Sequence, residues 1–387
     1  MSLPTYMDHN ATTPVAPVVL EAMLPFLSRQ CGNPSSNHEY GRAAKRALDE
    51  ARQQVAAAVG AHPTEVIFTS GGTEANNLVL KGAAQAMKPG ILALSAMEHP
   101  SVRSPAEQLL RQGWQLRSVA IDDQGRVDDD DFLSALTENP RLISVMRVNN
   151  ETGTMQNVAA LAARAKVGGS RAWFHSDCVQ ALGKVAIDFR DLNRQGVHAL
   201  TLSAHKIHGP KGAGAVVADK RLELMPQIAG GGQERDLRSG TENMAAIVGF
   251  GAACTAAMAD LEAGSLHLAR MRAELEEGLV ELGARIFSRG AERVANTVYF
   301  AIPDIDGETL VGKLDRVGYA VSSGTTCSSA NHEPSATLLA MGVSPELAKS
   351  AVRVSLGRDN TLTQIHGLLE NLAALRDQLL NLTAISS

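Results

Sequence analysis

Short runs of β-branched and apolar residues alternate with longer helical runs from residue 66 to about residue 217. Seven short runs predict β-strands: EVIFTS, GILALSA, QLRSVA, LISVMRVN, AWFHSD, ALTLSA and GAVVAD. Between several of them lie alanine-rich helix patterns such as TEANNLVLKGAAQAM and NVAALAARAKV. This alternation predicts an α/β fold, with a large, mostly parallel sheet that carries helices on both faces. Ligands bind such sheets outside the carboxyl ends of the strands.

The pattern changes after a long helical stretch that runs from residue 243 to about residue 282. Further strands are predicted at NTVYFAIP, YAVSSG and AVRVSLG, and further helices near ETLVGKLDRVG and up to about residue 380. These elements predict a smaller α+β domain, and residues 4–14 predict an extended arm. We therefore predict a large domain of residues 16–255 and a small domain of residues 1–15 and 256–387.

Composition narrows the possible partners of the chain. Its 387 residues carry a net charge of −5, with acidic and basic residues mixed, so neither nucleic acid nor a membrane is expected as a partner. The start, MSLPTYMDHNATTP, lacks the layout of a signal peptide, which predicts a cytoplasmic protein. The cysteines are far apart and form no C-x-x-C pair, so neither a disulfide framework nor a zinc site is indicated: Cys31, Cys178, Cys254 and Cys327.

A lysine stands at the mouth of a predicted buried strand, in the stretch LSAHKIHGPKGAG. A confined, partly desolvated amine has a lowered pKa and can act as a Schiff-base nucleophile, so Lys206 is the candidate, and Lys211 is the better surface lysine. Asp177 ends the strand AWFHSD, and Gln180 follows three residues later. A buried carboxylate needs a cation or hydrogen-bond donors. A protonated heterocyclic nitrogen would satisfy it, as would a neighbouring arginine or lysine.

A glycine turn, SGGT, opens the helix after the strand EVIFTS. Its free N–H groups suit a phosphate, and Thr73 is placed to cap the helix or to donate its hydroxyl, although the turn alone fits an ordinary cap better. Ser203, His205 and Thr73 together can hold one phosphate. His205 and His208 have no third ligand nearby, so no metal site is expected. Phosphate donors, a strand-end aspartate and a strand-end lysine are the parts that pyridoxal phosphate needs.

Four other positions predict the substrate side of the site. His99, after a strand, can stack on a ring and relay protons, or can simply cap a helix. Asn150 lies at another strand end, in VNNETG. Arg353, between apolar neighbours on a strand, fits a carboxylate clamp and a domain-interface salt bridge equally well. Cys327 lies in the small, polar run SSGTTCSSANHEPS, which is typical of an exposed, mobile thiol.

In order and spacing, these motifs resemble those of NifS/IscS-type cysteine desulfurases of the aminotransferase class V group. The resemblance covers nearly the whole chain and rests on YMDHNATTP, GNPSSNHEYGR, FTSGGTEANN, EHPSV, VNNETGTMQ, HSDCVQ, SAHKIHGPKG, GGGQERDLRSGTEN, SSGTTCSSA and VRVSLGR. It implies a homodimer with the fold of type I pyridoxal-phosphate (PLP) transferases. It also implies conversion of L-cysteine to L-alanine, with the sulfur held as an enzyme persulfide for an acceptor such as an iron–sulfur scaffold or a thiolation enzyme.

The resemblance also implies a role for each site residue. Lys206 forms the imine with the cofactor, Asp177 pairs with the pyridine nitrogen, Gln180 with the ring hydroxyl, and His99 stacks on the ring and serves in acid–base steps. Gly72, Thr73, Ser203 and His205 bind the phosphate, Thr241 reaches the phosphate of the neighbouring subunit, Asn150 and Arg353 bind substrate, and Cys327 takes the sulfur. The length of the Cys327 loop resembles the IscS-like group. Cys178 departs from the usual alanine, and GTTC from the commoner serine–alanine pair before the cysteine.

Several alternatives remain at the level of sequence. A selenocysteine lyase or a class V aminotransferase shares most of these motifs, although a mobile Cys327 argues against the transferase. A cofactor-free scaffold is disfavoured by the intact set of Lys206, Asp177 and His99, and a dehydrogenase by the lack of a dinucleotide motif. The acceptor stays open among iron–sulfur assembly, tRNA thiolation, DNA phosphorothioation and nitrogenase maturation.

Overall fold

The computed structural model describes residues 3–323 and 333–386, with side chains as far as residue 381. Within the first of these ranges, the N-terminal part contains β1 (Thr5–Tyr6), α1 (Pro17–Ser28), α2 (Glu39–Ala58), β2 (Val66–Thr69), α3 (Gly72–Gln85), β3 (Ile91–Ser95), α4 (Pro100–Leu109), β4 (Gln115–Val119), α5 (Asp129–Thr137), β5 (Leu142–Ser144), α6 (Val158–Val167), β6 (Trp173–Asp177), α7 (Phe189–Gln195), β7 (Ala199–Ser203) and β8 (Gly214–Ala218).

The C-terminal part begins with a single long helix. Its elements are α8 (Met244–Glu281), β9 (Arg285–Ile286), β10 (Thr297–Ala301), α9 (Gly307–Arg316), β11 (Tyr319–Ala320), β12 (Ser322–Ser323), α10 (Ala336–Ala340), α11 (Pro345–Lys349), β13 (Ala351–Ser355) and α12 (Leu362–Ser386). All the strands and helices predicted from the sequence are present here, and α12 extends beyond its predicted end.

The large sheet has seven strands in the order β2-β8-β7-β6-β5-β3-β4. Only β8 runs antiparallel to its neighbours, so the predicted mostly parallel sheet is confirmed. The predicted strand LISVMRVN is assigned as β5 only as far as Ser144. Beyond it, the N–H groups of Val145 and Arg147 still donate to the carbonyl oxygens of His175 and Asp177. The chain therefore follows β6 to the edge where the strand ends lie.

Helices cover both faces of this sheet, as its alternating side chains require. The neighbouring residues Ile67 and Phe68 of β2 point into two different apolar clusters. Val55 of α2 and Phe250 of α8 belong to the cluster around Phe68, whereas Leu78 of α3 belongs to the other. Burying each such side chain contributes about 1.5–3 kcal/mol, so both clusters hold the strand ends in fixed positions.

A second sheet, of order β12-β13-β10-β9, is antiparallel and packs on a third apolar cluster. The helix α8 joins the two regions: Phe250 lies in the core of the first, and Met271 and Leu275 lie in the core of the second. The predicted domain boundary after residue 255 falls inside this one helix, and the division stays a prediction.

By length and hydropathy, α8 also resembles a membrane span, which the sequence pattern did not suggest. It is the one such helix in the described ranges. Half of its most apolar stretch is buried within the fold, and core helices commonly have this composition, so the resemblance is weak evidence of a membrane contact.

Candidate active site

One cleft lies at the carboxyl ends of the parallel strands, where the sequence placed the site. Ten of the twelve predicted site residues line it: Gly72, Thr73, His99, Asn150, Asp177, Gln180, Ser203, His205, Lys206 and Arg353. The N-terminal arm adds Asp8, Asn10 and Ala11 to the lining. The cleft therefore joins strand ends of the large sheet to β13 of the small sheet, with the arm between them.

Asp177 ends β6 and is almost completely buried. Its Oδ2 accepts a hydrogen bond of 2.8 Å from the amide of Asn76, and its Oδ1 accepts one of 2.9 Å from the backbone N–H of Val179. Two N–H donors thus hold this carboxylate at the strand mouth, and it faces the cleft, where a protonated ring nitrogen can meet it.

Lys206 ends a 3-10 turn, Ala204–Lys206, that directly follows β7. Its Nζ donates to two carbonyl oxygens of the arm, at 2.6 Å to Asn10 and 2.7 Å to Ala11. The turn is tight because the N–H of Gly209 donates to the carbonyl of Ala204, where a Cβ at Gly209 would lie 2.7 Å from that oxygen. Gly209 therefore allows the tight turn that holds the Lys206 amine in place. Lys211 is exposed, as predicted.

The phosphate side of the cleft lies at the start of α3 and the end of β7. The cap of α3 is Gly71, not Thr73, which lies inside the first turn, so the capping role predicted for Thr73 is wrong and its hydroxyl is not used there. Ser203 Oγ is buried and has no hydrogen-bond partner among the described residues. Burial, with Lys206 and two other lysines nearby, lowers the pKa of His205 to about 4, so its ring is neutral at neutral pH.

His99 caps α4, and the capping alternative for this residue is therefore correct. Its Nδ1 accepts the backbone N–H of Ser101 at 3.1 Å and lies 2.7 Å from the hydroxyl of the same serine. Burial lowers the pKa of His99, as does the positive charge of Lys206, while Asp177 acts in the opposite direction. Because only Nδ1 is used by the cap, Nε2 remains for the cleft, and the capping role does not exclude the acid–base role.

Arg353 forms a salt bridge to Asp8 of the arm, which the predicted division places in the same small domain, so this pair is not the domain-interface salt bridge predicted as one of its two roles. Its NH2 donates to Asp8 Oδ1 at 2.7 Å and its NH1 to the carbonyl of Asn150 at 3.0 Å, and its side chain is 9% exposed. Its Nε has no hydrogen-bond partner among the described residues. The guanidinium is thus oriented by the arm while it still faces the cleft, and its role as a carboxylate clamp stays a prediction.

Asn10 of the arm was not predicted as a site residue, and it connects the arm to the large sheet region and to the small sheet. Its backbone carbonyl accepts hydrogen bonds from Lys206 and Gln180, and its Oδ1 accepts from Lys184 and Asn296. Its Nδ2 donates to the carbonyl of Asn150 and to Thr297 Oγ1, and its backbone N–H donates to Ser355 Oγ. It is 2% exposed. An asparagine can satisfy this many partners because its amide and backbone are both donors and acceptors.

Lys184 is a second partly buried lysine, which the sequence did not single out. Its Nζ contacts Gln180 Oε1 as well as Asn10. Burial, together with the charges of Lys206 and Arg353, lowers its pKa to about 7. The spacing Gln-x-x-x-Lys on one helical turn was the signal that would have placed it beside Gln180.

Two predicted residues are not brought into the cleft by the described part of the chain. Thr241 is exposed and lies outside it. Thr241 does not cap α8 either, because Asn243 is the cap and accepts the N–H of Ala246. Cys327 lies outside the described residues. On one side of it in the chain Ser323 lines the cleft, and on the other Ser335 donates to the buried carboxyl of Glu151, which also lines it.

The residues of the cleft fit PLP. The buried Ser203 hydroxyl, the N–H groups at the start of α3 and a neutral His205 are donors for a phosphate. A Cβ at Gly72 would lie 2.7 Å from the Val179 side chain, so α3 begins close to the residues that follow β6. The Asp177 carboxylate and the Lys206 amine line the same cleft, as acceptor for a ring nitrogen and as amine for an aldehyde.

Comparison with known proteins agrees with this reading of the cleft. The aminotransferase class-V family model matches residues 5–368. The chain is 38% identical to a cysteine desulfurase IscS of Methanosarcina thermophila over 98% of this chain and 94% of that protein. Among solved structures it resembles a NifS-like protein, with a TM-score of 0.91, 34% identity and coverage of 97% of this chain and 100% of the other. It also resembles SspA in complex with cysteine, with a TM-score of 0.80, 32% identity and coverage of 92% and 99%. This chain therefore belongs to the aminotransferase class-V family.

Proposed function

We propose that this protein is a PLP-dependent cysteine desulfurase, which converts L-cysteine to L-alanine and keeps the sulfur as a persulfide on Cys327. One observation carries the proposal: Lys206, Asp177 and Arg353 converge on a single cleft, which gives an amine, an acid and a carboxylate receptor in one place. The relatives named cysteine desulfurase and the relative solved with cysteine support the same substrate.

When bound, PLP offers a carbon to the substrate amine and withdraws electrons from the substrate carbons. The residues of the chain do the rest. Arg353, oriented by Asp8 and Asn150, binds the substrate carboxylate. Asp177 keeps the proton on the ring nitrogen. The Lys206 amine donates hydrogen bonds to the carbonyls of Asn10 and Ala11. From this position it moves the proton at the substrate Cα.

Sulfur transfer follows as a displacement at the sulfur of the substrate. The Cys327 thiolate forms a bond to that sulfur, and the electron pair of the breaking C–S bond returns to the substrate carbon. The carbon then takes up a proton, and L-alanine leaves. His99, with Nε2 toward the cleft, is placed to hand over a proton at this stage. Two rivals use the same cleft: a class V aminotransferase and a selenocysteine lyase.

The test is to incubate the purified, PLP-loaded protein with L-cysteine, with L-cysteine plus a 2-oxo acid, and with L-selenocysteine, and to quantify L-alanine, the 2-oxo acid and protein-bound persulfide. We expect alanine to form in step with persulfide, and sulfide to be released when a thiol is added. Consumption of a 2-oxo acid with no persulfide would instead identify an aminotransferase. Turnover of L-selenocysteine alone would identify the lyase.

We also propose that the active protein is a homodimer in which Thr241 completes the site of the other subunit. The exposure of Thr241, and the capping of α8 by Asn243 in its place, support a role outside its own chain. Sulfur-acceptor proteins are then the further partners, and we expect them and the enzyme to be in the cytoplasm. The acceptor would approach the face on which the cleft opens.

Mixing two impaired variants tests the role of Thr241. Lys206→Ala subunits are co-expressed with Thr241→Val subunits, so that hybrid dimers form. If Thr241 acts across the interface, each hybrid has one site with both changes and one with neither, and activity rises to about half of the wild-type level per hybrid dimer. Thr241→Val must be clearly impaired alone. If this condition is met and the purified hybrids show no rise in activity, the proposal is wrong.

A further inference from the structure

Asn76 of α3 is a fully buried amide in the wall of the cleft, and both hydrogens of its side chain are used. Its Nδ2 donates to Asp177 Oδ2 at 2.8 Å and to Ser101 Oγ at 2.8 Å, and its Oδ1 accepts from Thr201 Oγ1 at 2.6 Å. The orientation of the amide is unambiguous, because an ionised carboxylate only accepts and must therefore face the NH2 group. Asn76 thus contacts both Asp177 and the serine that holds His99.

The hydrogen bonds around Ser101 have only one consistent direction. The hydroxyl of Ser101 accepts from Asn76, so its own proton is available for His99 Nδ1 at 2.7 Å. That nitrogen also accepts the Ser101 backbone N–H at 3.1 Å, so it carries no proton. Neutral His99 therefore holds its proton on Nε2, the nitrogen left for the cleft. A doubly protonated ring would set an N–H against an N–H, so the cap keeps His99 neutral.

The oxygen of Asn76 is fixed from the other side by a row of buried side chains. Thr201 of β7 donates to it, and His175 Nε2 of β6 lies 3.4 Å from the Thr201 hydroxyl. Ser144 of β5 lies 2.8 Å from His175 Nδ1. Side chains from three neighbouring strands therefore lock the amide, and it cannot rotate without leaving one of these buried groups unpaired.

We propose that Asn76 is a positioning residue that, with the two hydrogens of one amide, holds Asp177 and, through Ser101, His99. The inference rests on the proposed function, because it takes Asp177 and His99 as the two groups that act on the cofactor ring. One residue then fixes the orientation of two groups: the carboxylate that receives the ring nitrogen and the imidazole that presents Nε2–H to the cleft. Its effect is on the proton positions of both groups, and it does not itself touch the reacting atoms.

The first test needs no cofactor and is therefore independent of the proposed function. The apoprotein is labelled with nitrogen-15 histidine, and the His99 signals among the 11 histidines are assigned by their loss in His99→Gln. We expect the shifts of a single tautomer, with Nε2 protonated and Nδ1 not. A proton on Nδ1 would overturn the inference. In Asn76→Leu we expect exchange between tautomers or an imidazole that titrates at higher pH.

The second test measures the dissociation constant of PLP from the apoprotein. Asn76→Leu should weaken binding about tenfold or more, because Asp177 loses a hydrogen bond to its charged form. Asn77→Ala is the matched control: within the described ranges, the Asn77 side chain, next in the same helix, donates to the carbonyl of Thr73 and to no other group. It should bind as the wild type does. Failure of the wild type to bind PLP would count against the proposed function. Normal binding and an unchanged His99 signal in Asn76→Leu would count against Asn76.

The variant Asn76→Asp separates positioning from mere packing and covers the case in which the leucine variant fails to fold. Its shape is that of asparagine, but when ionised it cannot donate to Asp177, and the two carboxyls must share a proton. We therefore expect the PLP affinity of this variant to fall relative to that of the wild type as the pH rises from about 6 to about 8. If the two profiles are parallel, Asn76 only fills space and the inference is wrong.

Discussion

Replacing Lys206 with alanine is expected to lower the turnover of L-cysteine at least about a thousandfold, because nucleophile and proton carrier are lost together. The fold should persist. The amine contributes hydrogen bonds to the carbonyls of Asn10 and Ala11, but the 3-10 turn that carries it is held by its own backbone. Steady-state assay of alanine formation, beside thermal unfolding of both proteins, measures the two effects separately.

A chemical label locates the amine directly. Borohydride reduces a carbon–nitrogen double bond to a stable single bond, so treatment of the loaded wild type should fix the chromophore on the peptide that contains Lys206. Lys211→Ala is the control, because this exposed lysine lies in the same loop. It should be labelled and active to the same extent as the wild type. A label on Lys211, or none in loaded protein, would refute the cofactor assignment.

Substituting Cys327 with serine is expected to abolish persulfide formation and to lower turnover at least about a thousandfold, while PLP binding is unchanged. Geometry supports the separation of these effects. Ser323 lines the cleft, and Cys327 is four residues further along, a stretch that reaches at most about 14 Å. A thiol on this segment can thus meet the substrate sulfur, whereas every proposed PLP ligand in the chain belongs to other segments. Absorbance of bound PLP and mass spectrometry of the protein after L-cysteine give the two readouts.

The other cysteines provide the control for this experiment. Burial raises the pKa of Cys178 to about 12, and the neighbouring Asp177 acts in the same direction, so the thiol stays protonated. Cys31 is exposed but is not among the residues of the cleft. Cys178→Ala and Cys31→Ser should therefore keep the persulfide. If Cys178→Ala loses it and Cys327→Ser does not, the nucleophile has been assigned to the wrong residue.

The parts of the fold that the sequence predicted are those in which local pattern and tertiary packing agree. β-branched runs such as those of β2 and β8 are buried on both faces, and Asn243 marks the start of α8 as a cap. The pattern gave no prediction for α1 and α2. The cap of α2 is His38, which accepts the N–H of Gly41. The cap position of α1 is occupied by Ala16, whose side chain cannot accept a hydrogen bond, and the helix begins at the proline that follows. Neither start has the usual serine, threonine or aspartate.

Strand-end residues of the site were predictable for a different reason. Asp177, Ser203 and Lys206 follow buried strands, and parallel strands bring their carboxyl ends to one edge. Asn10 and Asn76 were missed because their roles depend on partners far away in the chain, whereas Lys184 had a local signal in its spacing from Gln180. The Asn76 amide is 101 residues from Asp177 and 25 from Ser101. Nothing in a run such as GTEANN distinguishes a buried hydrogen-bond donor from an exposed one.

The position of the arm between the two sheets has a consequence for biosynthesis. Asn10 and Asp8 leave the ribosome first, but two of their partners, Ser355 and Arg353, each stand 345 residues later. A nascent large domain can complete its sheet and the phosphate donors at Gly72 and Ser203 long before these partners emerge. The carbonyls that receive Lys206 and the guanidinium of Arg353 are fixed only when the chain is nearly finished. A partly translated chain that captures PLP would therefore hold the cofactor before Arg353, the proposed receptor for the substrate carboxylate, has been made.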